Sequence, residues 1–222
     1  MRCICPTALL VAVACDGTAP HTQPLSTPGR YRVPADVGLL VVDTAAFAGF
    51  ARPVRRQLEA EGDAGGLAVR KERLFLLALL DALDDRWQAA VTRIDRIAAM
   101  ETDPVAKAMT GLTIRVWADA RSHGGDTPAA FRAALERRLA AMDLTAVRSS
   151  LSMLRAMGQA FTPDVCRKLV ASEVGPRIER GTVGVTELHA ILFQRYAAMR
   201  LAPVGSVIDE VLGARGIEPP AE

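Results

Sequence analysis

From Phe47 onward, apolar residues recur at three- and four-residue spacing with polar residues between them, the period of amphipathic helices. Before that, VGLLVV (Val37 to Val42) is a short apolar run that fits either a strand or the first buried turn of a helix. Phe47, Phe50, Val54 and Leu58 share one helical face, with Pro53 expected at a helix start or a kink, and EGDAGG (Glu61 to Gly66) ends the segment. LAVRKERLFLLALLDALD, from Leu67 to Asp84, is apolar on most sides past Arg73, which predicts a central helix that Asp84 and Asp85 break. Trp87, Ala90, Val91, Ile94, Ile97 and Ala98 form the next stripe. Three further helices open on a capping residue before proline: Asp103-Pro104, Thr127-Pro128 and Thr162-Pro163. Asp143 or Thr145 opens another, Thr186 caps ELHAILFQRYAAM, and Pro203 opens the last, which runs to about Gly213. No Asn-Gly hairpin and no sustained alternation interrupts them, so the expected fold is all-α.

The expected starts fall near residues 68, 86, 104, 128, 144, 163, 186 and 204, so every second start is about 35 to 42 residues on, the period of helix-turn-helix repeats. Leu76 to Pro104, LLALLDALDDRWQAAVTRIDRIAAMETDP, resembles one tetratricopeptide repeat. Leu77-Ala78 stands at the large-small pair of that family's first helix, Ala90 at the small contact position of the second, and Pro104 near the closing proline. The resemblance implies stacked helix pairs with a concave face. An irregular bundle of about eight helices produces the same pattern, and both architectures stand.

The N-terminus is organised differently. Thr7 to Ala14, TALLVAVA, is too short to span a bilayer, which takes about 20 residues, but suits the apolar region of an export signal. AVAC, residues 12–15, resembles the lipobox of bacterial lipoproteins, which implies removal of residues 1–14 and lipid attachment at Cys15. A plain secreted protein and a buried N-terminal strand are the competing readings. Asp16 to Asp36 is rich in Pro, Gly, Ser and Thr and reads as a tether. The expected layout is a signal peptide at 1–14, lipidated cysteine and tether at 15–43, a helical domain at 44–215 and a disordered tail at 216–222. Such a protein belongs to the bacterial cell envelope, facing the periplasm or the exterior, with the choice of membrane open.

Composition narrows the chemistry. With 27 Lys+Arg against 25 Asp+Glu the net charge is +2, so no strong field draws the chain to nucleic acid. Cys3, Cys5 and Cys15 lack the paired spacing of a zinc site, and Cys166 is far from them all. The histidines, His21, His123 and His189, form no HExxH, and His189 is expected on a solvated helix start. Ser149, Ser150 and Ser152 have no nucleophile elbow around them. Asp81, Asp84 and Asp85 (DALDD) resemble the aspartate-rich motifs of isoprenoid synthases, which hold Mg²⁺, but with helix termination as the simpler role. Cys166 lies in the first turn of its helix beside Arg167 and Lys168, a setting that favours a thiolate, against the plainer role of buried filler.

The leading expectation is therefore a membrane-tethered module without catalysis, cofactor or metal. It would bind a protein partner through a helical groove, with Arg70, Arg73, Arg86, Arg93 and Arg115 as candidates for its polar faces. Two alternatives stand beside it. One is an enzyme with a divergent site around Asp81/Asp84/Asp85 or Cys166. The other is a carrier whose segments Leu74 to Leu80 and Leu188 to Phe193 line an apolar cavity.

Overall fold

Side-chain caps set five of the eleven α-helix starts among the described residues. The computed structural model describes residues 29–62 and 64–220, so the expected leader, Cys15 and His21 lie outside the described residues. Short α1 (Leu39–Val42) resolves VGLLVV as helix, and Asp43 then caps α2 (Thr44–Glu61) by accepting from the Ala46 amide. Pro53 sits inside α2 and not at its start. The bond it cannot make belongs to the carbonyl of Gly49, which is exposed and faces water, so the helix continues. α3 (Leu67–Leu83) and α4 (Trp87–Ala99) follow, joined by a turn in which Asp85 adopts φ 59°.

Asp103 caps α5 (Pro104–Met109), Thr127 caps α7 (Pro128–Ala140), Asp143 caps α8 (Leu144–Ala160) and Thr162 caps α9 (Pro163–Glu173), each through its side-chain oxygen. Between α5 and α7, Gly111 takes φ 62° and starts a separate α6 (Leu112–His123). The expected cap at Thr186 is not used: α10 (Val185–Tyr196) begins one residue earlier, after an extended Gly184. Nor does Pro203 open the last helix. A π-helical segment (Ala197–Leu201) and a 3₁₀ turn (Ala202–Val204) carry the chain from α10 into α11 (Gly205–Gly213). Nine helices of nine residues or more thus make up the body, with α1 and α5 as shorter pieces among the described residues. The fold is all-α.

α10 is the axis. Leu188 through Tyr196 are all buried, and α10 packs on α1, α3 and α9. α3 forms a hairpin with α4, with Ala78 and Ala90 both fully buried at the crossing, as close helix approach requires. α6 pairs with α7, while α8 skips its neighbours in sequence to pack on the C-terminal α11. That last crossing depends on two glycines: a Cβ on Gly205 would stand 2.1 Å from the carbonyl oxygen of Gly158. Among the described residues no helix is long and apolar enough to cross a membrane.

Both ends of the described chain are tied down further than composition suggested. Tyr31–Arg32 (β1) pairs antiparallel with Thr182–Val183 (β2), and Tyr31, Val37, Leu40 and Val41 are buried. Residues 31–43, expected to belong to a tether, are therefore part of the folded body, where the Tyr31 ring supplies core surface that proline and serine cannot. At the other end Ile217 is fully buried, and Arg148, Arg155 and Ser152 bond to the carbonyls of Gly216, Ile217 and Glu218. The first part of the expected disordered tail is consequently fastened to α8.

Candidate functional site

The two places where sequence suggested chemistry are engaged within the fold. Asp81 has a fully buried side chain, and its carboxylate accepts from Arg93 Nε at 2.7 Å, from Arg55 Nη1 at 2.5 Å and from Arg86. Burial alone would raise its pKa; the hydrogen bonds from Arg93, Arg86 and Arg55 outweigh that and hold it below the ordinary carboxylate range. Asp84 ends α3 and pairs with Arg55 at 2.8 Å. Asp85 accepts from Arg200 at 2.6 Å and Arg121 at 2.8 Å, and both guanidinium groups lie over the Trp87 ring. DALDD is thus a corner that binds the protein's own arginines. Among the described residues no three His, Cys, Asp or Glu side chains converge as a metal site.

Cys166 is fully buried in α9, and burial pushes its thiol up to about 12. Desolvation overrides the helix start, and neighbouring Arg167 and Lys168 both turn to Asp164. The proposed groove arginines are also engaged internally. Arg73 bonds Glu61 and the carbonyls of Gly62 and Ala64, Arg86 and Arg93 hold Asp81, and Arg115 pairs with Asp95.

What remains is a cavity of about 500 Å³ between α3 on one side and α8 on the other, within the range of small-ligand sites. Phe75 and Leu79 of α3 and Phe193 of α10 line it, which are residues of the two segments expected to bound an apolar cavity. α5 and α6 contribute Ala106, Met109, Leu112 and Ile114, and α8 contributes Met153, Leu154 and Met157. Three of the chain's seven methionines are therefore in this wall, where a flexible thioether adapts to an irregular occupant. Leu67, 53% exposed, stands where α3 meets solvent.

Few polar groups break the apolar wall. Lys71 Nζ meets Glu101 at 2.9 Å, linking α3 to the α4–α5 connection. Glu72, next along α3, meets His189 Nδ1 at 2.6 Å. Tyr196 Oη is 3.2 Å from Thr113 Oγ1, and its phenol is raised by burial in spite of that bond. His189 is not solvated: it is 5% exposed, close to the rings of Phe75 and Phe193, and its Nε2 has no partner. The helix-start reading failed because only Val185 to Glu187 reach solvent: His189 already lies in the stretch from Leu188 to Tyr196 that is buried all round.

Lys71, Glu72 and Glu101 were not singled out in sequence. Their signal was weak: Lys71, Phe75 and Leu79 lie on one face at four-residue spacing, but α3 is apolar on so many sides that no face stands out. Comparison with known protein families, with curated proteins and with solved structures gave no match to this chain.

Proposed function

We propose that this protein binds an apolar small molecule in the α3–α8 cavity and is held at a membrane by lipid on Cys15. The cavity carries the first half of this reading. It is roomy and walled mainly by aliphatic, aromatic and thioether groups, with Lys71 bonded to Glu101 and Glu72 to His189, as a site for a largely apolar ligand requires. The second half rests on AVAC and on the Pro-rich stretch after it. Recognition of a protein partner has less support, because arginines named for it, such as Arg73, Arg86, Arg93 and Arg115, are bonded within the fold.

Titration of the purified chain with the neutral fluorophore N-phenyl-1-naphthylamine tests the cavity. Saturable enhancement is expected, and Ala106→Leu, which fills buried space beside Met109, should weaken it about tenfold while the helical circular dichroism persists. Absence of saturable binding, or binding indifferent to Ala106→Leu, would overturn the proposal. The anchor has its own readout: the mass of the mature N-terminal peptide should show acylated Cys15, and unmodified Cys3 and Cys5 in that peptide would refute it.

A further inference from the structure

The charges on the cavity wall do not cancel, and the imbalance points to the kind of ligand. Lys71 is the single cation among the lining residues, and Glu72 and Glu101 are the two anions. The Lys71 ammonium is already committed to Glu101 at 2.9 Å. Glu72 has the imidazole of His189 instead, with Nδ1 at 2.6 Å. The proton of this contact belongs on Nδ1, donating to the carboxylate. Glu72 is thus hydrogen-bonded to a side chain behind the wall, and on the wall itself two carboxylates face one ammonium.

The groups around Glu72 suit a cation. Phe75, one turn along α3, offers an aromatic face beside His189, and a ring face attracts an ammonium as well as an apolar chain. Met109, Met153 and Met157 supply the adaptable surface that a flexible hydrocarbon tail needs. An anionic amphiphile would have to displace Glu101 from Lys71 and then place its own charge near two carboxylates. We infer that the cavity takes a single-chain amphiphile with a compact cationic head, the head at Glu72 and the tail along Phe193 and the methionines. This inference rests on the binding proposal above and adds the sign of the ligand's charge.

Displacement of N-phenyl-1-naphthylamine from the full chain by decylamine, decanol and decanoate, each below its aggregation threshold at low salt, tests it. Decylamine should compete about tenfold better than decanol, and decanoate should be the weakest. Glu72→Gln should bring decylamine down to the level of decanol and leave decanol unchanged. Lys71→Gln, which frees Glu101 as a second carboxylate, should instead strengthen decylamine about threefold, and it serves if Glu72→Gln does not fold. Decanoate competing as well as decylamine, or an amine advantage untouched by both variants, would overturn the charge inference with the cavity reading intact. Failure of all three compounds to displace the fluorophore would overturn the cavity reading itself.

Discussion

Asp81→Asn measures how much of this fold hangs on one buried carboxylate. Removing one partner of a buried ion pair costs about 3–5 kcal/mol when the other charges are left without compensation. Here compensation is partial. Arg86 is half exposed and can return to water, Arg55 keeps Asp84 at 2.8 Å, and Arg93 has Glu59 at 3.7 Å. Arg55 and Arg93 are otherwise enclosed, with side chains only 13% and 21% exposed, so their loss is not erased. The expected cost is about 2–4 kcal/mol, or roughly 5–12 °C in Tm for a domain of this size. Asp84→Asn, at a half-exposed carboxylate, should cost no more than about 1 kcal/mol. Urea titrations of the two variants and the parent give the comparison, provided the dependence on denaturant is unchanged. The pH profile adds a second reading. The pKa of Asp81 is lower in the folded protein than in the unfolded chain, so its contribution is complete above the unfolded value of about 3.9 and is lost as pH falls through the folded value. Asparagine cannot titrate, so the stability gap between parent and Asp81→Asn should shrink on acidification. An Asp81→Asn shift no larger than that of Asp84→Asn, or a gap that stays constant below pH 4, would refute the structural role.

The remaining predictions concern packing. Gly205→Ala should destabilise by about 3 kcal/mol or more in thermal unfolding, since the added carbon meets the Gly158 backbone and not a movable side chain. Gly49→Ala, where the added carbon meets nothing, should be neutral or stabilise by up to about 1 kcal/mol. Cys166 should resist a disulfide reagent at pH 8 in the folded protein and react once urea unfolds it; rapid labelling of the native state would show that its burial is wrong.

The sequence was most informative where a local rule acts alone. Asp103, Thr127 and Thr162 before proline each predicted a helix start correctly, because the cap and the first-turn proline are satisfied by neighbours in sequence. Gly111 hid the boundary between α5 and α6, since its left-handed turn splits two helices whose apolar pattern runs on across it. Tyr31 and Ile217 looked like parts of a tether and a tail because their neighbours in sequence are polar or proline-rich, yet their partners lie far along the chain. His189 and Glu72 are 117 positions apart, and nothing in either segment announces the other. The cavity falls between these cases. Its apolar segments were legible, but the charges on its wall were not.

That the space between α3 and α8 stays open has identifiable causes in the backbone. Were α5 to continue without a break, its side chains would run on past Met109 along the same line. Instead Gly111 turns the chain at φ 62°, and no larger residue fits, because a Cβ there would lie 2.6 Å from Ile94 Cδ1. In the segment after α10, Pro203 cannot donate to the carbonyl of Met199, and its ring would crowd a regular helix. The backbone widens to a π turn in which the Ala202 amide reaches the carbonyl of Ala197, while the carbonyl of Arg200 accepts from the Trp117 indole at 3.0 Å. Tyr196 and Leu201, at the two ends of this widened stretch, both line the cavity. Each device gives up regular helix geometry, and a bundle selected for packing alone would gain from an uninterrupted helix and a filled interior. Two such interruptions bordering one cavity favour a space maintained for an occupant over a packing defect.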